Sequence, residues 1–175
     1  MCNAVRYVAG TLAAIVLGGS GCGASTAEPI RSSYLSASLL RPSCADRAPR
    51  IPNNPWPPTR RYLAPSGAIA IRLCRYGVLP RLVLKRSRLL TSSRVIHRIV
   101  GDFDKLPSPG VPSPACPADF GSEILALLAY PAGQRVAIST GLTGCSEVTN
   151  GNLNRSALGS PYGLPLVSEL ERLTG

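Results

Sequence analysis

The sequence holds one histidine, His97, and one tryptophan, Trp56, in 175 residues. A serine- or cysteine-type hydrolase would therefore have to use His97 as its base. His97 falls in a stretch of helical periodicity, on the side opposite Ile99, Phe103 and Leu106, so it is expected to face water rather than a cleft. No cysteine stands in a C-x-x-C pair, and with a single histidine the ligand spacing of a zinc site is missing. Charged residues are few, 16% of the chain. The close carboxylate pairs, Asp102 with Asp104 and Glu169 with Glu171, are two apart on expected helices and so diverge, which denies a glycosidase its facing acids. Gly141 to Gly144 lacks the lysine of a phosphate-binding loop. No stretch reaches the roughly 18 uninterrupted apolar residues of a membrane span. The expectation is a non-enzymatic protein with no metal and no cofactor.

The N-terminus carries a specific signal. Residues 1–21 run from Arg6 through an apolar stretch, Val8 to Leu17, into Gly18-Gly19-Ser20-Gly21 just before Cys22, the order of a secretory signal. Small residues directly before a cysteine resemble a bacterial lipoprotein signal, which implies that Cys22 is diacylated and becomes the new N-terminus. Cleavage after Ala27 by ordinary signal peptidase is the alternative and would give a freely secreted product. Both place the chain outside the cytoplasm, on the outer face of the cell membrane or beyond it. Removing Cys2 and Cys22 leaves Cys44, Cys74, Cys116 and Cys145, an even set in an oxidising compartment, so two disulfides are expected.

Residues 22–65 read as a proline-rich tether, with Pro49, Pro52, Pro55, Pro57, Pro58 and Pro65 favouring extended backbone over helix or central strand. Trp56 is expected to dock this tether onto the domain. The domain itself spans 66–175. Ile69, Ile71 and Leu73 alternate inward along a first strand, and Arg81 to Lys85 forms a second. From Ser93 the apolar residues fall on one helical face until Pro107 stops the helix. A stiff proline loop follows. Glu123 to Tyr130 and Arg135 to Thr140 then flank Pro131-Ala132-Gly133 as a hairpin, and Asn150-Gly151 turns a second one. Leu166, Val167, Leu170 and Leu173 share the face of a closing helix. These elements predict an α+β fold: an antiparallel sheet of about five strands with two helices. Asn154-Arg155-Ser156 fits a glycosylation pattern but reads as a polar turn.

Charge is uneven along the chain. Between Arg31 and Arg98 there are 14 basic residues against Asp46 alone, whereas 99–175 carries 4 basic and 7 acidic. The first reading of this half is a solvated basic surface; as a binding patch on an exported chain without aromatics interleaved among its cations, it would favour anionic lipid headgroups or wall polymers over nucleic acid.

The segments "GAIAIRLC", "ACPAD", "YPAG" and "GLTGCSEVTNG", with a helix closing in "LP", resemble a broad group of uncharacterised actinobacterial secreted proteins, which implies no activity. The same order of elements is similar to the Streptomyces subtilisin-inhibitor family over about half of the chain. That resemblance implies pairing of Cys116 with Cys145 beside a reactive loop, and pairing of Cys74 with Cys44. It also implies a scissile bond between Ala118 and Asp119, preceded by Pro117, and a secreted serine protease as partner. The two functional expectations are thus a lipid-anchored envelope module that binds a partner without catalysis, and, as the alternative, a protease inhibitor acting through Ala118.

Overall fold

The computed structural model describes residues 42–77, 82–109, 118 and 121–175. The chain divides into Met1–Ser33 and Tyr34–Gly175, and every described residue belongs to the second unit. Its strands are β1 (Ala70–Tyr76), β2 (Leu84–Leu90), β3 (Glu123–Ala129), β4 (Arg135–Gly141), β5 (Glu147–Thr149) and β6 (Asn154–Ser156). Two helices, α1 (Ser93–Asp104) and α2 (Gly163–Thr174), complete the α+β fold. All neighbouring strands are antiparallel, in the order β2-β1-β3-β4-β5-β6.

Among the described residues the sheet has six strands rather than about five, because both arms of the Asn150-Gly151 hairpin pair as short strands. The second strand begins at Leu84 and runs on through Lys85, Arg86, Ser87 and Arg88, later than the expected Arg81 to Lys85. That charged run forms a strand because β2 is an edge, where side chains on both faces can stay in water.

Both helices pack on one face of the sheet. Ile96, Ile99, Val100 and Phe103 of α1, and Leu166, Val167, Leu170 and Leu173 of α2, meet Ile71, Leu73, Ile124, Ala126, Leu128, Val136, Ile138 and Val148 in one core. The register places Arg75 of β1 opposite Arg86 of β2, a like-charge pair that would repel if left alone. Helix α2 resolves it: Arg75 pairs with Glu171 at 3.2 Å, and Arg86 donates to the Gly175 carbonyl at 2.6 Å. Arg88 donates to the Leu173 carbonyl at 3.3 Å. Three cations of the sheet thereby hold the carboxylate and the negative end of the helix dipole.

The opposite face also carries apolar residues, Cys74, Tyr76 and Leu125, each buried. What covers it corrects two sequence expectations. Residues 42–65 are not a tether outside a domain that starts at 66; they are part of the domain. Cys44, Ala48 and Ile51 pack onto Cys74, Tyr76 and Leu125, and Cys44 is disulfide-bonded to Cys74. Asp46 and Ala48 exchange backbone hydrogen bonds with Leu84 and Leu82, Tyr76 donates its hydroxyl to the Ala45 carbonyl, and Arg72 donates to Pro42. The segment then crosses to the helical face, where Leu63 and Ala64 lie fully in the core. Proline density does exclude a regular ladder here, since the one regular element is the 3-10 turn Pro57–Arg60. It does not prevent side chains from covering a sheet. For the same reason β1 does not simply alternate: Ile71 and Leu73 are buried as expected, Ala70, Cys74 and Tyr76 are buried on the second face, and Ile69, expected inside, is 40% exposed just before the strand.

Candidate functional site

The β5–β6 turn and the crossing segment build one polar assembly. Asn150 is 1% exposed, and its side-chain amide lies 3.0 Å from the Thr59 carbonyl, 3.0 Å from Tyr62 and 3.2 Å from Leu63, as donor to all three. Its oxygen accepts from the backbone N–H groups of Asn152 and Leu153, each at 2.9 Å. Between Asn150 and Asn152, Gly151 takes φ +85°, and a β-carbon there would stand 2.3 Å from the Pro52 carbonyl oxygen. Glycine is required twice over, by the turn and by the close approach of the chain above it. Asn152 donates to the Asn54 carbonyl and to the Thr59 hydroxyl, and Asn54 donates to the Arg135 carbonyl at 2.7 Å while accepting from the Trp56 N–H.

Trp56 docks as its sequence position suggests, edge-to-face on Tyr130 with centroids 4.8 Å apart. Tyr130 is buried and donates its hydroxyl to the Pro65 carbonyl. Burial, with Asp104 nearby, holds its phenol well above the usual range. Asp104 itself accepts from the Ala64 N–H at 3.1 Å. Its carboxyl is raised above the ordinary 3.8, chiefly by burial, against the opposing pull of the Ala64 and Leu63 backbone and of Arg155. An acid raised in the folded state favours stability at low pH, and that contribution is lost as pH rises through the folded value. Asp104→Asn keeps the acceptor oxygen for Ala64 and removes the titration. Its stability relative to wild type is therefore expected to increase between pH 4 and pH 7 in a series of urea unfolding curves; a difference independent of pH would contradict this account.

Two hollows flank the strap Asn53-Asn54-Pro55. The first, about 240 Å³, lies on the second face of the sheet between Ile51–Pro55, Leu127 and Arg135–Ala137, with a mainly apolar lining. The second, about 620 Å³, is open and mainly polar, lined by Asn53, Asn54, Pro55, Arg60, Gly151 and Asn152. Hydrogen bonding commits Asn54 and Asn150 to the fold. Of the other lining residues, Asn53 and Arg60 are exposed, and Asn152 has both amide hydrogens in use.

The residues singled out in the sequence fall elsewhere. Cys44 and Cys74 are bonded, and Cys145 is disulfide-bonded too. Its expected partner Cys116, the lipidation candidate Cys22, and Pro117 and Asp119 lie outside the described residues. Ala118 is exposed. The start of its loop is tied to β6 through Ser156 N–H to the Pro107 carbonyl and Arg155 to Ser108. His97 is exposed, as its helical position predicts. The carboxylate pairs diverge: Asp102 meets Lys105 while Asp104 meets Ala64, and Glu169 meets Arg98 and Arg172 while Glu171 meets Arg75. Among the described residues no three His, Cys, Asp or Glu side chains gather as a metal site. The hollow was not legible beforehand. Its only sequence trace is "IPNNPWP", where two asparagines between prolines have no helix or strand to belong to. Comparison of the chain with protein-family models, with curated proteins and with solved structures found no match.

Proposed function

We propose that the protein is an exported, lipid-anchored binding module of the bacterial cell envelope that holds an anionic partner without catalysing a reaction. The observation that carries this reading is the balance of charge on the folded domain. The described residues include 15 Lys and Arg against 7 Asp and Glu by direct count. The acidic side chains are largely engaged, in four ion pairs and in hydrogen bonds to Ala64 and Ser139. A surplus of cations on a rigid surface attracts polyanions in a salt-dependent way. A disulfide in the domain is in keeping with an oxidising compartment, and no helix among the described residues is long and apolar enough to cross a membrane. Attachment would come from Cys22.

The test has two arms. Radiolabelled palmitate is expected to enter the wild-type chain and not Cys22→Ala, and equal labelling of both would remove the anchor. The unlipidated Cys22→Ala chain is expected to be retained on washed envelopes at low salt and released by about 0.5 M salt, where the screening length falls to a few ångströms. Retention that survives high salt, or no retention at all, would overturn the electrostatic binding.

A further inference from the structure

Resting on that reading, we propose that the hollow lined by Asn53, Asn54, Pro55, Arg60, Gly151 and Asn152 is a subsite for an acidic polysaccharide, with Arg60 meeting a carboxylate of the chain and Asn53 and Asn152 its hydroxyls. The volume, about 620 Å³, falls within the range of small-ligand sites, and the lining is mainly polar rather than apolar. That lining matches a sugar better than a lipid tail. A sugar hydroxyl both donates and accepts, and so do groups of this lining: the Asn53 amide offers donors and an acceptor, and the Asn152 oxygen accepts. Arg60 is exposed at the end of the 3-10 turn, and no hydrogen bond or ion pair engages its guanidinium among the described residues. It supplies a forked donor suited to a carboxylate.

The walls of the hollow are fixed before any ligand arrives. Asn150 ties the turn to Thr59, Tyr62 and Leu63, Asn152 ties it to Asn54, and Gly151 lies directly beneath Pro52. A ligand entering a site already held in place loses less of its binding free energy to ordering the protein. Because the hollow is open, a polymer can pass across it and present one acidic sugar at a time. The Asn150 amide, buried and fully hydrogen-bonded, is the support, whereas Asn53 and Arg60 are exposed, so replacing them is expected to leave the fold intact.

The experiment is calorimetric titration of the Cys22→Ala chain at 50 mM salt with three probes: an oligogalacturonate, a neutral malto-oligosaccharide and an inorganic polyphosphate. The oligogalacturonate is expected to bind at least about ten-fold more tightly than either of the others. Arg60→Ala is expected to weaken it by about ten-fold and Asn53→Ala by several-fold, with unchanged thermal unfolding. Polyphosphate binding as tightly as the uronate, or wild-type affinity in both variants, would overturn the subsite. Envelope retention of the unlipidated Cys22→Ala chain separates the two proposals: if it and the same chain carrying Arg60→Ala are retained alike at low salt, the hollow is not the site although the protein still binds envelopes. If the Cys22→Ala chain is not retained, the broader reading fails, and uronate affinity alone then decides the hollow.

Discussion

Replacing Cys44 by Ser and Cys74 by Ala together is expected to lower the free energy of unfolding by about 3 to 4 kcal/mol. The bond joins residues 30 apart in sequence, and closing a loop of that length in the unfolded chain accounts for a loss of this size in the chain-entropy model. Against a total of about 5 to 15 kcal/mol for a domain, that is a large share. The structural consequence is local to one face. Cys74 is fully buried and Cys44 sits on it, so without the bond the strap from Pro42 to Ile51 depends on a single bridge from Arg47 to Val83 and on contacts such as Tyr76 to Ala45. Transient release of the strap would wet Tyr76 and Leu125. The urea midpoint of the double variant should fall accordingly, and amide exchange should accelerate first along β1 and β3. A loss below about 1 kcal/mol would mean that the strap holds its place by packing alone.

How much of this was legible in the sequence depends on the range of the interaction. The hairpins, the faces of α1 and α2 and the stop at Pro107 follow from periodicity and turn residues, which act over a few positions. Leu166, Val167, Leu170 and Leu173 had one arrangement that buries them together, and they adopt it. The layer formed by residues 42–65 was not legible, because proline density describes what a backbone cannot do and is silent about what its side chains cover. The expected pairing of Cys74 with Cys44, which the structure contains, already pointed to it. A cysteine in a strand whose partner lies 30 residues upstream requires the intervening chain to return to the sheet. The edge position of β2 was equally hidden, since "LKRSRLL" has the composition of a solvated loop, and its place beside β1, with Arg86 and Arg88 at the end of α2 and Arg75 on Glu171, comes from contacts distant in sequence. The hollow beside Asn53 is a third case: it is made by groups up to 98 residues apart, joined by hydrogen bonds such as Asn152 to Asn54 that leave no local pattern.

Asn150→Ala is expected to destabilise the domain by about 3 kcal/mol, more than its small loss of volume would suggest. The amide serves three carbonyls of the crossing segment and accepts two backbone N–H groups of its own turn, all in a setting where the residue is 1% exposed. Alanine removes one side chain and leaves several buried polar groups short of a partner, each costing about 1 to 3 kcal/mol where water cannot enter. Partial entry of water keeps the total below the sum. Asn150→Asp separates hydrogen bonding from shape. At pH 7 it would point a carboxylate oxygen at the carbonyls of Thr59, Tyr62 and Leu63, where the wild type presents donors, so it should cost at least as much as alanine. Its acid would titrate well above the usual carboxylate range, through burial and the surrounding carbonyl oxygens. A group raised in the folded state contributes stability below its unfolded value and loses it as pH rises, so the Asn150→Asp deficit should shrink by more than about 1 kcal/mol between pH 7 and pH 4, while the Asn150→Ala deficit stays constant. Urea unfolding of the three proteins at the two pH values decides it. Parallel deficits for both variants would show that the carbonyls of the crossing segment are satisfied without Asn150, and that the strap above Gly151 is held by Trp56, Leu63 and Ala64 instead.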